Sequence, residues 1–230
     1  MGMHFGIVAV KVPVAQVIEA FATVWPRHEP TASVPLAGLE ALHDWMRSTQ
    51  RQVALGAGSI DNPGTDTFGF WQDGEWAVML DPSYVQASDR PALAALSQHL
   101  GLVLSFVIET SGGCAFFDAY DGGQRIRRIQ SIDGVLQTEG ARLPQEEGRA
   151  DGRFYMDETE QLQRAFGITP LTGLPADLPV RGAAYLDRTD YGALKAAQPP
   201  RAPRAAPGAG PKATASAREP AAKRPWWRFW

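Results

Sequence analysis

Residues 101–142 constrain the fold more than any other stretch of the chain. Four short runs, LVLSFVIET, CAFFDAY, QRIRRIQ and VLQTEG, are divided by SGG, DGG and DG. Aromatic and β-branched residues fill the runs, and the Asp-Gly and Gly-Gly dipeptides tolerate the positive φ that tight hairpin turns demand. The pattern predicts an antiparallel meander. In its first strand Leu102, Leu104, Phe106 and Ile108 share one face while Val103 and Val107 occupy the other, so cover is expected on both sides. With Gly122-Gly123 as the first loop, Asp118 stands opposite Arg127. With Asp133-Gly134 as the second, Arg128 stands opposite Glu139.

Upstream, Phe5–Lys11 (FGIVAVK) reads as a buried strand. Pro13 suits the first position of a helix whose Val14, Val17, Ile18, Phe21 and Trp25 share a face. His28–Pro35 reads as a turn-rich connection, and a second helix is expected after Ser33, with Leu36, Leu39, Leu42 and Met46 as its apolar stripe. Val53–Ile60 is a weak strand weakened by Gly56 and Gly58. DNPGTD (61–66) reads as a loop, and TFGFWQ and EWAVMLD form a hairpin turned at Asp73-Gly74. Ser88 is the expected N-cap of a third helix ended by Gly101. Past the meander, 145–152 reads as a solvated loop and Asp157–Phe166 as a fourth helix. Residues 168–191 are rich in Pro and Gly and read as extended chain over the surface.

The fold class that follows is α+β: a predominantly antiparallel sheet with a C-terminal β-meander and packed helices, in the order βααβββαββββα. Residues 1–191 are expected to form one globular domain. Residues 192–230 are dominated by Ala, Pro and Arg, cannot bury enough apolar surface to offset ordering entropy, and are expected to be a disordered tail.

Charge divides along the same boundary. Residues 192–230 carry eight cations and a single anion, Glu219, for a net +7, which leaves the body at −10 within a chain total of −3. That asymmetry points to a polyanionic partner for the tail. The lone cysteine, Cys114, rules out an intrachain disulfide and suggests a reducing compartment. The amino terminus lacks the cationic flank of a secretory signal, and no window has the apolar length of a membrane span, so a cytoplasmic protein is expected.

Motifs for catalysis or cofactors are sparse. His4, His28, His43 and His99 are scattered, with no HExxH and no Cys-x-x-Cys, so no zinc site can be written unless the fold gathers distant residues. Cys114 on a strand entering the sheet reads as a small buried hydrophobe rather than a nucleophile. The glycines of GAGSIDNPG and SGGC match no phosphate-binding loop, and Asp61 and Asp66 lack calcium-loop spacing. Glu109, Asp118 and Glu139 share a sheet without marking an acid–base pair. Arg125, Arg127 and Arg128 beside Phe116 and Tyr120 suggest a nucleic-acid face. However, alternation sends Arg127 and Arg128 to opposite sides and the body is acidic, so nucleic acid is not the expected partner. No catalytic residue, metal or cofactor is expected.

The tail has a more specific physical meaning. Lys223, Arg224, Trp226, Trp227, Arg228, Phe229 and Trp230 crowd into the last eight residues. Aromatics beyond a long linker are there to be buried in something: a membrane interface, a groove on a partner, or an apolar patch on the chain's own body. The expectation is a non-catalytic cytoplasmic binding module whose flexible basic-aromatic tail docks to a membrane surface or partner protein. An acidic immunity- or antitoxin-like protein that neutralises a basic partner is a second expectation. An enzyme with a site assembled from distant residues, around Cys114 or His99, is a third.

Overall fold

A computed structural model describes residues 4–51, 64–149 and 152–190, together with Ala193. Nine strands are described: β1 (His4–Val10), β2 (His28–Ala37), β3 (Gly64–Asp73), β4 (Trp76–Asp81), β5 (Val103–Glu109), β6 (Cys114–Asp121), β7 (Gln124–Ile132), β8 (Val135–Glu139) and β9 (Pro179–Asp187). They form one sheet in the order β2-β9-β3-β4-β1-β5-β6-β7-β8, and each neighbouring pair is antiparallel. Four helices pack on it: α1 (Val14–Val24), α2 (Gly38–Arg51), α3 (Arg90–Leu100) and α4 (Met156–Ala165). The fold is α+β, as the residue pattern predicts.

Strand alternation builds two cores. On one face Leu39, Leu42 and Met46 of α2 and Leu162 of α4 bury Ile7, Trp71, Val78, Phe106 and Phe117. On the other, Val17 and Phe21 of α1 and Leu93 and Leu96 of α3 bury Val8, Phe68, Phe70, Met79 and Val107. The central strands are therefore apolar on both sides, which is why β4 is buried at every position. As expected, Leu104 and Phe106 of β5 enter the first core and Val103 and Val107 the second.

Several local expectations are corrected. His28–Ala37 is an edge strand, not a turn, and α2 begins only at Gly38. Pro30 and Pro35 obscured it, but proline is tolerated on an edge, where a missing N–H breaks no internal ladder. Residues 64–66 belong to β3 rather than to a loop. The next hairpin turns one residue later than expected, because Asp73 pairs with Trp76 and Gly74 carries φ +57°. Asp89, not Ser88, caps α3, its side chain accepting from the Ala92 amide. Within 145–152, Glu146 is completely buried instead of solvated. Residues 179–187 do not run over the surface: β9 is an interior strand between β2 and β3. The weak strand read at Val53–Ile60 lies outside the described residues, and so does the tail from Lys195 onward.

One register differs because of a bulge. Asp121 pairs with Gln124 and Tyr120 with Arg125, but Ala119 pairs with Arg127, so Ile126 is the extra residue. Asp118 consequently faces Arg128, not Arg127. The next turn falls at Asp133-Gly134 as expected, with both residues at positive φ and Arg128 opposite Glu139.

Candidate functional site

The end of the sheet formed by β2, β9 and β3 gathers a histidine and two aspartates. Asp187, the last residue of β9, pairs with His28 on one side and Gly64 on the other. Asp66 lies two residues beyond Gly64, hence on the same face as Asp187 and His28. One ligand-type atom from each of the three lies within 4.8 Å of the other two. His28 and Asp187 are buried and Asp66 is half-buried, which leaves an approach from solvent at Asp66.

Aromatic packing sets the His28 ring. Phe21 stands edge-on to it with centroids 5.7 Å apart, and Phe68 and Tyr185 also meet it edge-on. Its Nε2 lies 3.0 Å from Asp66 Oδ2 and 3.2 Å from the Gln86 amide nitrogen. Its Nδ1 is buried without a hydrogen-bond partner. The choice of tautomer therefore rests on the Asp66 and Gln86 side alone.

Gln86 is held by a polar turn over residues 81–88. Asp81, at the end of β4, is fully buried and accepts four hydrogen bonds, from Ser83 N and Oγ, Gln86 N and Ala87 N, at 2.7–3.0 Å. Burial pushes its carboxyl above the ordinary range, against the pull of those donors. The turn is pinned to the sheet from below, since Ser105 Oγ donates to the Ala87 carbonyl. At Gly6 an added Cβ would come within 2.3 Å of Ala87 Cβ, so only glycine lets the turn descend so far.

A second polar group lies on the α3 face, beyond the helix. Asp118 is buried, with Arg128 Nη1 at 3.5 Å and Arg125 Nη1 at 3.6 Å, and Arg125 also pairs with Glu139. Burial pushes the Asp118 carboxyl up to about 6 in spite of the arginines. Arg128 lies over the Phe116 ring and bonds Gln130. Arg127, by contrast, projects to the opposite face and grips Glu146 through Nε and Nη2, both at 2.7 Å. The separation of Arg127 from Arg128 read from alternation is thus present. The basic group on the α3 face is heavily neutralised by its own carboxylates.

The remaining candidates are dispersed. Cys114 opens β6, half-buried, with Sγ donating to the Gly112 carbonyl at 3.2 Å. Burial, then Glu109 and Asp133, raise its thiol pKa, the opposite of nucleophile activation. Glu109, at the end of β5 four residues from the Ser105 that pairs with Asp118, accepts from the Ser111 and Gly112 amides. His99 lies in the last turn of α3. Burial and then Arg47 hold His43 down at about 4, so it stays neutral. Lys223, Arg224, Trp226, Trp227, Arg228, Phe229 and Trp230 lie outside the described residues.

The His28 cluster was invisible in sequence because its members are 38 and 121 residues apart on strands whose pairing depends on β9. No described helix is long and apolar enough to cross a membrane. No family model matches the chain, and neither the curated proteins nor the solved structures contain a match to it.

Proposed function

We propose that the protein is a non-catalytic binding module: an acidic α+β body docked to an anionic membrane surface, on its cytoplasmic side, by the segment Lys223–Trp230. The observation that carries this reading is that the described residues up to 190 already form a nine-stranded sheet with an apolar cluster on each face. The last described strand, β9, lies inside the sheet and ends at Asp187, and helices pack on both faces of the sheet. Beyond this sheet, three tryptophans and Phe229 crowd into the segment Lys223–Trp230. Tryptophan favours the membrane interface, and each cation near anionic lipid adds about 1 kcal/mol. Lys223, Arg224 and Arg228 supply that attraction.

The test is co-sedimentation of the full chain, and of a chain lacking residues 220–230, with phosphatidylcholine vesicles with or without phosphatidylglycerol. Binding only by the full chain and only to anionic vesicles supports the reading. Equal binding by both chains, or none by either, removes it.

A second reading, neutralisation of a basic partner by the body, is favoured by β8. This edge strand is short and exposed, with Val135 61% accessible and one side unpaired among the described strands. Such an edge accepts a partner's strand, and the body's charge of −10 would steer a cationic one. A complex formed by residues 1–191 alone and weakened by salt distinguishes it.

A further inference from the structure

From this geometry we infer that His28, Asp66 and Asp187 form a site for a first-row divalent metal ion of the zinc or manganese kind, with the Gln86 side chain as a fourth donor. The donors are one imidazole nitrogen and two carboxylates, a set that such ions accept and that calcium and magnesium, which prefer all-oxygen shells, do not. The donor atoms already lie within 4.8 Å of one another, and Nε2 to Asp66 Oδ2 is 3.0 Å. Two ligands about 2.1 Å from a common ion and at right angles to it are separated by about that distance.

Rigidity favours the site as well. Each ligand comes from a different strand, and the three strands are adjacent, so backbone hydrogen bonds fix the spacing. The ring of His28 is clamped by Phe21, Phe68 and Tyr185, an apolar wall that limits solvent access behind the ligand. Asp187 Oδ1 is oriented by the Thr189 amide at 2.9 Å. Only Asp66 is open enough to let an ion enter.

The contacts around Nε2 are compatible with an ion there. A carboxylate at Nε2 asks for a proton there, whereas the Gln86 amide nitrogen asks for a bare lone pair, and one nitrogen cannot answer both. Half a turn of the Gln86 amide puts its oxygen beside Nε2. Its nitrogen then faces Ser83 Oγ, 3.4 Å from the present amide oxygen and able to accept because its own proton goes to Asp81. With that rotation Nε2, the two carboxylates and the amide oxygen can converge on one cation, the ring proton then lying on Nδ1 among the aromatic rings. Asp81 takes no part in ligation; it positions Gln86 by holding the turn.

The experiment uses the full chain, stripped with a chelator and titrated calorimetrically with zinc chloride, manganese chloride, calcium chloride or magnesium chloride alone. One zinc or manganese ion per chain is expected, with an upward shift of the melting temperature on saturation. Asp66→Asn is the principal variant, because Asp66 is half-buried and the substitution is nearly isosteric; its metal-free melting temperature reports whether the fold survives. It should weaken binding at least ~10-fold and abolish the melting shift, and Gln86→Ala should weaken binding less. Cobalt(II) provides a readout independent of folding, since its visible absorption bands should appear with the wild type and not with Asp66→Asn. His99→Gln and His4→Gln should leave affinity unchanged. The inference is overturned by absence of zinc and manganese binding in the wild type, or by binding that Asp66→Asn leaves intact.

Discussion

Gly69 on β3 and Gly182 on β9 lie directly opposite each other, and the bare strip they make is where α2 rests on the sheet. A Cβ at Gly69 would approach Leu42 Cδ2 to 2.3 Å, and one at Gly182 would approach Trp45 Cε3 to 2.6 Å. Neither glycine has a positive φ, so close approach, not turn geometry, requires them. Gly69→Ala should lower stability by about 1–3 kcal/mol, because fully buried Leu42 has nowhere to move. Gly182→Ala should cost less, since half-buried Trp45 can yield. Chemical denaturation of the two variants checks the order.

Arg127 and Glu146 form a buried ion pair that ties the segment after β8 to β7. Burial alone would raise the Glu146 carboxyl, but Arg127, the Leu143 amide and Arg149 together hold it below the usual range. Glu146→Ala leaves a buried guanidinium without its carboxylate and should cost about 3–5 kcal/mol. Arg127→Met combined with Glu146→Leu should recover most of that loss. A double variant no more stable than Glu146→Ala would contradict the pairing.

Asp118 makes a pH prediction. Its carboxyl titrates near 6 in the folded chain because of burial, above the ordinary value of 3.8. The folded state therefore holds more protons than the unfolded state between about pH 4 and 6, so this group's contribution to stability rises as pH falls through that window. Above the window its contribution is flat. Asp118→Asn removes the titration, so wild type should gain stability relative to the variant on going from pH 7 to 5. Melting curves of both at each pH isolate the effect, and a constant difference would refute it.

The position of β9 makes two truncations behave differently. A chain ending at residue 191 keeps the whole sheet and should melt within a few degrees of the full chain. A chain ending at residue 178 loses the strand between β2 and β3, and with it buried Val180, Ala183 and Tyr185, and should not fold cooperatively. Circular dichroism during heating distinguishes these outcomes.

The meander and its turns were legible because a local signal, alternation broken by Asp-Gly or Gly-Gly, encodes them. The β-bulge at Ile126 was not, since no residue there announces it, and it moved Asp118 from Arg127 to Arg128. The strands β2 and β9 are hidden from a local pattern for the same physical reason. Each carries proline, and each is stabilised by partners 150 or so residues away, which a local reading cannot weigh. The His28, Asp66 and Asp187 cluster depends on those two strands and was lost with them. Glu146 looked solvated because its partner, Arg127, lies across a hairpin and a loop.

Tryptophan fluorescence tests the central claim most directly. Trp25, Trp71 and Trp76 are buried and Trp45 is half-buried in the body, so a change on meeting lipid reports Trp226, Trp227 and Trp230. Titration with phosphatidylglycerol vesicles carrying brominated acyl chains should quench part of the full chain's emission and leave that of a chain ending at residue 219 unchanged. Emission of the full chain that brominated anionic vesicles do not alter would contradict docking through the tail.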